Sequence, residues 1–125
     1  MRIILADHHT EPRWALKSML DEEPGLELVG EAVDTQGLLR LVEKHPAELI
    51  LLDEQLPGNA IEDLINHLHR FDPKPIVIVM SSDFTCSRRI LQAGADSFVS
   101  KADQPEWLLQ TLRKYVQHEN MKDEE

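Results

Sequence analysis

With 125 residues the chain is one domain, long enough to bury a full hydrophobic core. A formal net charge of -10 repels nucleic-acid phosphates, so direct DNA or RNA binding is not expected, whereas a basic partner or a divalent cation suits it. One cysteine, Cys86, excludes an internal disulfide and a thiolate zinc cluster. No apolar stretch approaches the ~20 residues of a membrane span, and the N-terminus enters a strand rather than a signal peptide, so a cytoplasmic chain with no membrane association is expected.

Arg2 to Ala6 reads as a first strand. After Asp7-His8-His9, Thr10 is placed to cap a helix with Glu11 and Pro12 in its first turn and Ala15, Leu16, Met19 and Leu20 at helical spacing. Pro24-Gly25 ends it. Leu26 to Ala32 is a second strand, with Leu26 and Leu28 on one face and Gly30 a candidate to join them. Asp34 caps a second helix that buries Leu38, Leu39, Leu41 and Val42 and stops at His45-Pro46.

The run Leu49-Ile50-Leu51-Leu52-Asp53 is the third strand. Its unbroken apolar character marks a strand covered on both faces, as in a parallel sheet between helices. Asn59 is placed to cap a third helix carrying Ile61, Leu64, Ile65 and Leu68. Ile76 to Met80 is a fourth strand, Thr85 to Ala93 a short fourth helix closed by Gly94, and Ser97 to Ser100 a fifth strand. Asp103, Pro105 and Glu106 open the last helix, whose inward stripe is Leu108, Leu112, Tyr115 and Val116. Trp14 and Trp107 are expected to cover helix–sheet packing. The domain is expected to span residues 1–117. Residues 118–125 would be an acidic tail or the start of a linker, carrying -3 of the charge and leaving -7 on the body.

Strands alternating with helices give an α/β fold: a doubly wound, five-stranded parallel sheet with helices on both faces. Right-handed crossovers leave few topologies, and the flavodoxin-like order 2-1-3-4-5 is the commonest at this size. In that order the first and third strands are neighbours, so Asp7 and Asp53 open onto one crevice, and Ser81 and Lys101 approach from the fourth and fifth strands. Two carboxylates, a hydroxyl and an amine at strand ends are raw material for a metal and phosphate site.

These motifs resemble those of the response-regulator receiver domain of two-component signalling. The resemblance runs from about Arg2 to Gln117. It rests on Leu5-Ala6-Asp7, on Leu51-Leu52-Asp53-x-x-Leu56-Pro57-Gly58, on Met80-Ser81-Ser82, and on Ala93-Gly94-Ala95-Asp96-Ser97-Phe98-x-x-Lys101. It implies that Asp53 accepts a phosphoryl group from a sensor histidine kinase, with Mg2+ held by Asp7, Asp53 and the backbone carbonyl of Gln55. Lys101 and Ser81 would contact phosphoryl oxygens, and Ser82 would leave room for them. Movement of Ser81 would turn Phe98 inward and reshape the face of the fourth helix, fifth strand and fifth helix, where an effector domain or a second copy docks. No enzyme activity beyond self-phosphorylation and self-dephosphorylation is implied, and no G-x-G-x-x-G cofactor fingerprint is present.

The chain departs from the family pattern at two positions. His8 stands where a second acid is usual; a neutral imidazole is a poor Mg2+ ligand and a charged one opposes the metal. Glu54 stands where an apolar residue is usual. His8 therefore opens an alternative, a pseudo-receiver that keeps the fold as a protein–protein interaction module with weakened metal binding. His8 and His9 also invite a transition-metal reading with Asp7 and Asp53, against which stands the expectation that adjacent side chains point apart.

Overall fold

The computed structural model describes residues 1–101 and 105–123, and the side chains through residue 119. Five strands form one parallel sheet in the order β2-β1-β3-β4-β5: β1 (Arg2–Ala6), β2 (Glu27–Ala32), β3 (Leu49–Asp53), β4 (Ile76–Ser81) and β5 (Ser97–Ser100). The helices between and after them are α1 (Thr10–Asp21), α2 (Thr35–Lys44), α3 (Ile61–Leu68), α4 (Ser87–Gln92) and α5 (Pro105–Asp123). This is the doubly wound α/β architecture that the alternating pattern predicts.

Period-two alternation sends the strand residues to two separate cores. Ile4, Ala6, Ile50, Leu52, Val77 and Val79 pack with α2, α3 and α4. Ile3, Leu5, Leu49, Leu51, Ile78 and Met80 pack on the other side with Leu20 of α1 and with Leu108 and Leu112 of α5. All five residues of β3 are buried, which is why that segment carries no polar residue before Asp53. Each buried Leu or Ile contributes about 1.5–3 kcal/mol, so this central strand is strongly fixed and its last residue with it.

Several local expectations are revised. His9, not Thr10, is the N-cap of α1, and its side chain makes no cap bond. Ala60, not Asn59, precedes α3, while the Asn59 N–H donates to Thr35 Oγ1 at 3.2 Å. Asp34 does cap α2, accepting from Gly37 N at 2.7 Å. The fourth helix is divided, with a 3-10 turn over Phe84–Cys86 before α4. The β1–β2 register shifts between Ile3 and Ile4, so Gly30 faces Leu41 of α2 and not the side of Leu26 and Leu28. Trp14 (62% exposed) and Trp107 (61%) lie on the surface instead of covering the sheet. The last helix continues past Gln117 to Asp123, and the Asp103 cap lies outside the described residues.

Candidate functional site

Three chain segments leaving the sheet at one edge build the site. Asp7 follows β1, its N–H donating to the Ala32 carbonyl at 3.0 Å, and it is fully buried. Asp53 ends β3 and is 2% exposed, and the Gln55 N–H donates to its Oδ1 at 3.1 Å. Lys101 follows β5, where its backbone N–H donates to the Ser81 carbonyl at 2.8 Å and fixes the root of the side chain. From there Nζ donates to Asp7 Oδ2 at 2.8 Å and to Asp53 Oδ2 at 3.1 Å. Two buried carboxylates side by side repel, and one ammonium shared between them offsets the repulsion.

A second donor bridges the same pair. His9 Nδ1 lies 3.0 Å from Asp7 Oδ1 and 3.1 Å from Asp53 Oδ2. Carboxylates only accept, so the contact requires the His9 proton on Nδ1. Sequence reasoning assigned this place to His8 and had the two rings pointing apart. In the fold the rings are neighbours, with centroids 3.9 Å apart. Neighbouring side chains diverge in an extended strand, but the chain bends at His8 and His9 caps α1, which brings both rings to one side. The position of His9, directly before a helix that starts at the crevice, was the available signal. His8 Nδ1 is buried and has no hydrogen-bond partner among the described residues.

Ser81 and Phe98 are less directly engaged. Ser81 Oγ donates to Glu54 Oε1 at 3.1 Å and accepts from Asp83 N at 2.9 Å, so its hydroxyl is committed beside the carboxylate pair. Glu54, a departure from the family pattern with no role assigned from sequence, is thus the acceptor that holds it. Buried Cys86 also faces Glu54, its Sγ donating at 3.8 Å. Phe98 is half-buried against the α2–α3–α4 core and meets the exposed Phe84 edge-on, ring centroids 6.2 Å apart.

Burial pushes the Asp7 carboxyl up, but side-chain hydrogen bonding with Lys101 and with Asp53, the backbone N–H of His9 and the Lys101 charge outweigh it and leave Asp7 below the usual carboxylate range. Asp7, His8, His9 and Asp53 each bring one potential ligand atom to within 4.8 Å of the others. The carboxylate oxygens suit a divalent cation. The fit to Mg2+ is partial, because that ion wants oxygen donors and His9 Nδ1 stands between the two carboxylates.

The same chain is recognised by comparison with known proteins. The family described as the response regulator receiver domain matches residues 3–113. The chain is 29% identical over 114 residues to the nitrate/nitrite response regulator protein NarP of Escherichia coli, covering 90% of this chain and 53% of the relative. It is 31% identical over 113 residues to the transcriptional regulatory protein YhcZ of Bacillus subtilis, covering 89% and 53%. The chain therefore spans about half the length of these curated relatives. A two-component response regulator of the LuxR family from an Aurantimonas species superposes with a TM-score of 0.84 at 24% identity, covering 94% of this chain and 85% of that one, a likeness of fold. Fold, motif positions and the match over nearly the whole length agree: the chain belongs to the response regulator receiver domain family.

Proposed function

We propose that Asp53 is the phosphoryl acceptor of this receiver domain and that its phosphorylation switches the surface formed by α4, β5 and α5. The observation that carries this reading is the Lys101 ammonium shared by two buried carboxylates at the open edge of the sheet. An unpaired Asp53 carboxylate would repel an incoming phosphoryl group. Here Lys101 already neutralises it, and can follow the negative charge onto a phosphoryl oxygen once the Asp53 oxygen is esterified.

In the transfer an Asp53 carboxylate oxygen forms a bond to phosphorus as the P–N bond of a kinase phosphohistidine breaks. The imidazole leaves with the electron pair and is protonated from solvent. Attack of water on phosphorus later returns the free carboxylate and inorganic phosphate. Asp7, Asp53 and the Gln55 carbonyl would hold a divalent cation, Mg2+ by family, which when bound would neutralise the phosphoryl oxygens. The Gln55 N–H orients the carboxylate through Oδ1. Ser81 is held by Glu54 in the resting state and exchanges that bond for a phosphoryl oxygen, freeing space toward which Phe98 turns. The surface beside it, lined by Leu91, Phe98, Thr111, Lys114 and Tyr115, is the docking face for an effector domain or a second copy. The chain's own chemistry is confined to Asp53, and a reducing cytoplasm accords with its single thiol.

Intact mass after treatment with a small phosphodonor and Mg2+ tests the proposal. The mass is expected to rise by one phosphoryl group, and Asp53→Asn is expected to abolish the gain. A gain that survives Asp53→Asn moves the acceptor elsewhere. No gain in the wild type, with the fold intact, favours an interaction module in which the His9 bridge has displaced the phosphoryl chemistry.

A further inference from the structure

We propose that the crevice is also a binding site for a borderline transition-metal ion, Zn2+ or a neighbour in its series, ligated by Asp7, His8, His9 and Asp53. Imidazole is a weak partner for Mg2+ but a preferred one for Zn2+, Co2+, Ni2+ and Cu2+. Two imidazoles and two carboxylates, one atom from each within 4.8 Å of the rest, form a complete donor set for a four-coordinate ion.

The geometry is already close. Bonds of about 2.0–2.1 Å place tetrahedral ligand atoms roughly 3.4 Å apart. His9 Nδ1 is 3.0 Å from Asp7 Oδ1 and 3.1 Å from Asp53 Oδ2, so replacing its proton by the ion needs little movement. His8 has only to close from at most 4.8 Å. An independent observation points the same way. A buried polar atom in a folded protein is nearly always hydrogen-bonded, and His8 Nδ1, with no partner among the described residues, sits in a ring beside this donor set. Charge favours loading as well. Asp7, Asp53 and Lys101 sum to -1, which a divalent ion turns to +1 within a chain of net charge -10.

Four protein ligands close the shell of a tetrahedral ion, whereas a site that works on a substrate keeps one position open. A loaded crevice therefore has no coordination position for a phosphoryl oxygen, and its Asp53 oxygen is committed to the metal. Transition-metal loading would hold the domain unphosphorylated, a consequence that rests on the phosphoryl reading above; the binding itself does not.

The test uses the whole chain. Zn2+ affinity is read by competition with a chromophoric chelator, and Co2+ serves as a spectroscopic probe of coordination. The expected result is one Zn2+ per chain, bound at least about 100-fold more tightly than Mg2+, with intense tetrahedral-type visible absorption from Co2+. His8→Gln and His9→Gln are each expected to weaken Zn2+ by about tenfold or more while leaving Mg2+ no weaker. Circular dichroism confirms that each variant is folded. Zn2+ affinity unchanged in the double variant, or an octahedral-type Co2+ spectrum in the wild type, overturns the site. With the phosphodonor and excess Mg2+, equimolar Zn2+ is expected to suppress labelling of the wild type but not of the double variant. Undiminished labelling of a chain shown to hold Zn2+ overturns the blocking. Absence of labelling with Mg2+ alone counts against the phosphoryl reading and not against the metal site, which the chelator reads directly.

Discussion

The crevice at the ends of β1 and β3 and the edge where β5 meets α4 are built on opposite rules. In the crevice the contacts are polar and anchored on two carboxylates: Asp7 is fully buried, Asp53 nearly so, and the Lys101 ammonium and the His9 ring each bridge both. At the α4–β5 edge the contacts are apolar and loose. Phe84 is 68% exposed, Leu91 is exposed, and Phe98 is only half-buried between them and the core. Buried charge pairs lose much when one partner goes, whereas an exposed aromatic contact loses little. The difference suits a switch, with chemistry held in one fixed geometry and a readout surface that a small local change can re-aim.

The largest effect should come from taking the shared cation out of the crevice. Lys101→Met leaves Asp7 and Asp53 adjacent, buried and short of a counter-charge, and is expected to destabilise the fold by about 2–4 kcal/mol at neutral pH. The loss should depend on pH in a defined direction. Asp7 has a depressed folded pKa, so its contribution is present above the unfolded value of ~3.9 and is lost as pH falls through the folded one. Denaturant unfolding of wild type and variant should therefore differ most near neutrality and converge below about pH 4. A difference constant with pH would mean that Lys101 acts by packing its stem, not by neutralising Asp7.

A smaller but still large effect is expected at the loop that follows Asp53. Gly58 has φ +124°, and a Cβ placed there would fall 2.0 Å from Thr35 Oγ1, a backbone-anchored group whose N–H donates to the Pro57 carbonyl at 2.9 Å. Gly58→Ala should cost about 1–3 kcal/mol, from strain and from displacing Thr35. Combining it with Thr35→Ala should recover part of that loss, since the clash partner is then removed. Strict additivity in thermal unfolding would locate the cost in the backbone alone.

How much of this was legible follows the same division. The unbroken runs Ile3 to Ala6, Leu49 to Leu52 and Ile76 to Met80 are dictated by burial on two faces, so strand order and the meeting of Asp7, Asp53 and Lys101 could be read from pattern and topology. What escaped depends on single backbone turns or on distant partners. A bend at His8 puts His9 between the carboxylates, and a register shift after Ile3 turns Gly30 toward Leu41. Glu54 takes Ser81 from a neighbouring strand, a contact no local period encodes. Trp14 and Trp107 show that an aromatic near a helical stripe does not by spacing alone declare itself covered.

In the proposed switch the Ser81–Glu54 hydrogen bond stands between the two regions, and Glu54→Leu should release it. Stability is expected to change by no more than about 1 kcal/mol, because a half-buried carboxylate leaves as its single hydroxyl partner becomes free to find another acceptor. The kinetic effect should be clearer: a Ser81 hydroxyl no longer held by a carboxylate is available to a phosphoryl oxygen, so labelling of Asp53 should speed up a few-fold, within ~1 kcal/mol of barrier. Slower labelling would show instead that Glu54 positions Ser81 for the reaction.

The smallest effect is expected at Phe84. Its ring is mostly in water, and its one aromatic contact among the described residues is the edge-on pair with Phe98, an arrangement worth about 0.5–1.5 kcal/mol when buried and less when exposed. Phe84→Ala should therefore lower unfolding stability by under about 1 kcal/mol, against several for Lys101→Met. Its consequence should lie in conformation. Without the Phe84 edge beside it, the half-buried Phe98 ring loses one of the surfaces that hold its resting rotamer, and side-chain NMR of Phe98 should show a broadened or redistributed population. Asp53 labelling should be little changed, because Phe84 touches none of Asp7, His9, Asp53 and Lys101 in the contacts that hold that cluster. A loss above about 2 kcal/mol, or a Phe98 signal indistinguishable from wild type, would show that the readout edge is held as firmly as the crevice and that some other element carries the switch.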